Sequence, residues 1–152
     1  MPNSLTWRDD WAVAIDALDD EHRTLVEGLS EICQRYADLS DIPDPQLVRS
    51  GRHGRATDLV ADLEHLGEQV RDHFRREEAF MRSVDYPDIA EHQCEHALLM
   101  AEYQEMVRDL RHCGETRLDA AMIKSLNDLL IPQILGPDRA FADYYLRMIR
   151  DA

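Results

Sequence analysis

An all-α fold, an up-down-up-down four-helix bundle with an N-terminal arm and a short C-terminal helix, is predicted by three features of the sequence. Four long segments repeat apolar residues at spacings of three and four, the signature of one helix face. Gly and Pro, which interrupt helices, fall almost entirely between those segments. No run alternates apolar and polar residues as a half-buried strand does. The first helix, about 16–38, carries His22, Leu25, Val26, Leu29, Cys33 and Tyr36 on one face. Asp16, Asp19, Asp20 and Glu21 open it, where carboxylates suit capping and the positive end of the helix dipole. The stretch 39–56, with two Pro and two Gly, is expected to be one long loop. The second helix, about 57–84, runs through Leu59, Leu63, Leu66, Val70, His73, Phe74, Glu77 and Met81. The third, about 87–113, runs through Ile89, His92, His96, Leu99, Tyr103, Met106, Leu110 and Cys113. The fourth, about 118–135, carries Leu118, Met122, Leu126, Leu129, Leu130, Gln133 and Ile134. Gly136 and Pro137 are expected to end it, and Phe141, Tyr145, Met148 and Ile149 belong to a short helical tail. Mostly short connections favour antiparallel neighbours.

The 152 residues suit a single domain spanning 1–152, and 44% hydrophobic with 32% charged residues excludes general disorder. A net charge of -14 repels phosphates and anionic lipid, so neither nucleic acid nor a membrane is an expected partner. With no apolar stretch of spanning length and no basic-then-apolar start, cytoplasmic residence is expected. Cys33, Cys94 and Cys113 are read as thiols at half-buried helix positions.

Polar side chains on buried stripes must be compensated by hydrogen bonds or by a metal. One buried histidine is commonplace, and seven histidines in the chain will pair by accident fairly often. Here His73-x-x-x-Glu77 and His92-x-x-x-His96 are both i, i+4 pairs in register with their stripes, and His22 adds a fifth donor. Imidazole with carboxylate suits iron, manganese or zinc, and the shortage of thiols on the stripes argues against an iron-sulfur cluster. His53, His65 and His112 fall off the stripes and are expected in solvent. Cys94, two residues from each of two candidate ligands, points away from them.

The run from Val13 to His22, then His73-Phe74-Arg75-Arg76-Glu77-Glu78-Ala79-Phe80-Met81, then Tyr86-Pro87 with His92 and His96, resembles the bacterial hemerythrins. The resemblance extends from Leu5-Thr6-Trp7 to the last helix and implies a four-helix bundle with two non-haem iron ions joined by carboxylates. It implies His22 and His73 on one iron, His92 and His96 on the other, and Glu77 and Asp138 as bridges. Gln133 stands in the slot of the family's fifth histidine and is carried as a candidate ligand through its amide oxygen, weaker than imidazole, or as a residue turned aside. Pro132 beside it is expected to kink the helix. Leu25, Phe74, Leu129, Leu130 and Ile134 are the expected apolar oxygen pocket, Leu129 where a tryptophan is usual. The implied function is the binding of molecular oxygen or another small diatomic ligand for carriage, storage or scavenging, without catalysis. The Gln133 departure keeps open a di-iron enzyme or sensor acting on peroxide, nitric oxide or oxygen, and a degenerate metal-binding bundle.

Overall fold

The computed structural model describes residues 6–37 and 56–151. Helix α1 spans Asp16–Tyr36, α2 Ala56–Ser83, α3 Ile89–His112, α4 Ala120–Gln133 and α5 Arg139–Arg150. The expected loop at 39–56 and His53 lie outside the described residues, apart from Ala56, which begins α2.

Helix α1 packs on α2, α2 on α3, and α3 on α4. Two ties show that α4 runs antiparallel to α1 and closes the bundle. At one end the Leu118 amide donates to the Tyr36 carbonyl at 2.7 Å, joining the end of α1 to the approach to α4. At the other, Trp11 of the arm is buried with Val26 of α1 and packs against Ile131 of α4, while Arg139 donates to the Asp10 carbonyl at 2.7 Å. Gly67 is required for the close approach of α2 and α3, because a Cβ there would meet the Tyr103 ring at 2.9 Å.

The apolar interior is divided in two along the bundle axis. One cluster holds Leu25, Leu29, Leu63, Phe74, Leu99, Leu126 and Leu130, and the other holds Val13, Leu18, Met81, Tyr86, Phe141 and Ala142. Each fully buried large aliphatic or aromatic side chain contributes roughly 1.5–3 kcal/mol relative to exposure. In every helix the break between clusters falls at polar residues: His22 lies between Leu18 and Leu25, and His73 and Glu77 lie between Val70 and Met81. In α3 they are His92 and His96, before Leu99, and in the last third Gln133 and Asp138 lie between Leu130 and Phe141. The chain therefore builds one polar layer across the bundle, sealed by apolar layers above and below.

Three local expectations are corrected. The helix does not break at Gly136-Pro137: Ile134–Asp138 forms a π-helical turn that runs directly into α5, with helical backbone at both Gln133 and Arg139. A proline ring in an α-helix collides with the carbonyl four residues earlier, here that of Gln133, and the wider π turn relieves that crowding. Pro132 stays within α4 on an exposed face. The acids opening α1 make no side-chain cap, for Ile15 holds that position. Asp19 is instead buried and accepts from the Val13 amide at 2.8 Å, fixing the arm. Of the thiols only Cys33 is buried, and Cys94 and Cys113 are exposed. In the tail Phe141 is buried but Ile149 is half exposed.

Candidate metal centre

The polar layer is built from four helical segments. Helix α1 supplies His22, α2 supplies His73 and Glu77 one turn apart, α3 supplies His92 and His96 one turn apart, and the end of α4 with the π turn supplies Gln133 and Asp138. His22, His73, Glu77, His92, His96 and Asp138 are each at most 3% exposed, well below what free charges tolerate without partners.

Both carboxylates are shared, one oxygen to each side. Glu77 Oε2 lies 3.2 Å from His73 Nε2 and 3.7 Å from His22 Nε2, while Glu77 Oε1 lies 2.8 Å from His92 Nε2 and 3.2 Å from His96 Nε2. Asp138 repeats the division, with Oδ2 at 2.8 Å from His22 Nε2 and Oδ1 at 2.9 Å from His92 Nε2. The result is two four-donor groups: His22, His73, Glu77 and Asp138, and Glu77, His92, His96 and Asp138. Within each, one donor atom per residue lies within 4.8 Å of every other.

The donor set fits two metal ions. Two donors at right angles, each about 2.1 Å from an ion, are about 3 Å apart, which is the spacing found here. His22 Nε2, His73 Nε2, His96 Nε2, Glu77 Oε2 and Asp138 Oδ2 are buried without hydrogen-bond partners, although histidine and carboxylate atoms approach within 2.8 Å. Short separations without hydrogen-bond geometry are what lone pairs converging on a common point produce. Among these buried groups His22, His73, His92 and Glu77 favour one another's charged forms. Burial pushes His73 and His92 down, but carboxylates pull further the other way, Glu21 and then Glu77 at His73, Asp138 and Glu77 at His92, and bring each up to about 9; His22 is raised by Asp138 and Glu77. Burial disfavours the charged form of Glu77, yet the four surrounding imidazoles hold it well below the usual carboxylate range.

Outside this layer stand residues whose role the sequence did not reveal. Glu21 Oε1 lies 3.3 Å from His73 Nδ1 and accepts from Arg76 Nε at 2.6 Å, and Glu78 Oε2 lies 2.9 Å from His96 Nδ1. A carboxylate on Nδ1 fixes the imidazole tautomer that leaves Nε2 free for a metal. Each donor group thus has one histidine held from behind.

Gln133 is brought to the layer through its amide nitrogen, which donates to Asp138 Oδ1 at 3.1 Å and lies 3.3 Å from His92 Nε2. Of the expected pocket, Leu25, Phe74 and Leu130 are buried beside the site, and the Phe74 ring stacks on His96 at 3.7 Å between centroids. Leu129 is partly buried against the same cluster, and the Ile134 side chain lies outside the described residues. His65 and His112 are exposed, as expected.

Residues 13–145 match the family model of the hemerythrin HHE cation-binding domain. The chain is 28% identical over 142 residues to a bacteriohemerythrin of Stenotrophomonas maltophilia, covering 91% of this chain and 80% of that one. It is also 28% identical over 138 residues to myohemerythrin-1 of Phascolopsis gouldii, covering 91% and 92%. Among solved structures, a leucine-to-tyrosine variant of hemerythrin superposes with a TM-score of 0.72 at 21% identity, covering 94% and 97%, which shows the same fold.

Proposed function

The chain belongs to the hemerythrin HHE cation-binding family, and from that premise we propose that its buried layer holds two non-haem iron ions and binds molecular oxygen reversibly, for carriage, storage or scavenging. The observation that carries this reading is the double sharing of Glu77 and Asp138, whose four oxygens divide evenly between two histidine pairs. His22 and His73 would hold one iron, His92 and His96 the other, with Glu77 and Asp138 bridging. The two electrons needed to bind oxygen reversibly would come from this iron pair in its ferrous state.

The protein's own part is positioning, charge and exclusion of water. Two carboxylates and four neutral imidazoles leave the donor set with two negative charges, which offset part of the mutual repulsion of two dications in a low-dielectric interior. Glu21 and Glu78 orient His73 and His96 from behind. Leu25, Phe74 and Leu130 wall the layer on one side, and Met81 and Phe141 seal the other. A dry wall keeps bulk water from the layer, and it restricts the side reactions that would consume a reversible carrier. No helix among the described residues is long and apolar enough to cross a membrane.

The test is an optical one. Reduced, iron-loaded protein cycled between oxygen and argon is expected to develop a visible absorption that appears with oxygen and disappears on its removal over several cycles. A spectrum that changes once and never reverts contradicts the reading.

A further inference from the structure

Resting on the di-iron reading above, we propose that Gln133 is not a ligand, and that the ion held by His92 and His96 has an exchangeable position taking a small monoanion. The amide nitrogen of Gln133 would serve as hydrogen-bond donor to that anion or to its neighbouring bridge.

The contact with Asp138 sets the orientation of the amide. Its nitrogen donates to Asp138 Oδ1 at 3.1 Å. Turning the amide over would set its oxygen against a carboxylate oxygen at that distance, two acceptors facing each other with no proton between them. An amide nitrogen has no lone pair to offer a metal, and the nitrogen is the Gln133 atom 3.3 Å from His92 Nε2. Without Gln133 the two donor groups are chemically equal, each with two imidazoles and one oxygen from each of two carboxylates. Four protein donors leave an octahedral ion incomplete, so the side of His92 and His96 is as open as the side of His22 and His73. It differs in carrying a buried N–H donor beside the opening, for Gln133 is only 7% exposed. A donor beside a cation selects a small acceptor with negative charge.

The experiment is an azide titration of oxidised protein containing two irons per chain, followed by calorimetry and by optical change. Two azides per chain are expected. Gln133→His should fill the position and reduce binding to one azide with two irons retained. Gln133→Leu should retain two azides and weaken the second by roughly 10-fold or more, the usual effect of losing a hydrogen bond to a charged acceptor. Wild-type protein that holds two irons but binds one azide, or a Gln133→His variant that still binds two, overturns the second position. A wild-type chain that cannot hold two metal ions overturns the di-iron reading itself, a distinct failure read from metal content before azide is added.

Discussion

Glu77→Ala is expected to reduce metal loading from two ions to one or none, with affinity for the second ion lowered by more than about 100-fold, beyond the 10–100-fold typical of losing an outer partner. Among the described residues Glu77 is the only one whose oxygens lie within 4 Å of all four histidines, so its removal takes one donor from each group and one of the two negative charges that separate the ions. The same change should also destabilise the metal-free chain. There His22, His73 and His92 are raised toward their charged forms, Glu77 contributing at each, and breaking a buried charge pair by deleting one partner costs on the order of 3–5 kcal/mol. Glu102→Ala, on an exposed face of α3, is the control and should change neither property. Equilibrium dialysis with metal analysis, and denaturant unfolding of both variants, read the two effects separately.

Metal affinity should fall steeply as the solution is acidified, and the stability that metal confers should fall with it. In the metal-free chain His73 and His92 titrate at about 9, so below that pH each must give up a proton before it can bind. Two such protons lower the apparent affinity by about 100-fold per pH unit. The metal-free chain behaves oppositely over the same range. A histidine raised above its ordinary 6.5 contributes stability that is fully present below that value and is lost as pH rises through about 9. Glu77, held below its ordinary 4.5, contributes stability present above that value and lost as pH falls further. Because bound metal stabilises the native state, the gap in Tm between loaded and chelator-treated protein should widen from about pH 6 to about pH 9. A gap that is constant or narrows over that range contradicts a histidine-rich site.

Much of this centre is legible in the sequence, and the reason is helical geometry. His73 with Glu77, and His92 with His96, stand one turn apart on stripes otherwise made of Leu, Val, Phe and Met. A polar residue in such a stripe is necessarily buried, and a pair of them points to one place. Asp138 was not readable in that way. It lies beyond Gly136-Pro137, where local rules end a helix, and only the resemblance to a known family placed it at the site. The structure supplies the physical link: the π turn carries the chain past both breakers in helical form and rotates Asp138 onto the face that Gln133 already occupies. Glu21 and Glu78 were missed for another reason. Each is adjacent in sequence to a candidate ligand, which turns it by about 100° on its own helix, and its use depends on how far the neighbouring helix stands away. Glu21 therefore reads as an acid at a helix start, yet it reaches across to His73 on α2. The burial of Asp19 escaped notice likewise, because its partner is the Val13 amide of an arm with no helical period.

The most direct test of the central claim is a crystal of the iron-loaded protein measured with anomalous scattering at the iron edge. Two peaks are predicted inside the bundle, roughly 3.5–4 Å apart as in other two-metal sites. One should fall among His22, His73 and the second oxygens of Glu77 and Asp138, and the other among His92, His96 and their first oxygens. A single peak at full occupancy, or two peaks not spanned by Glu77 and Asp138, would contradict the shared-carboxylate centre on which the rest depends.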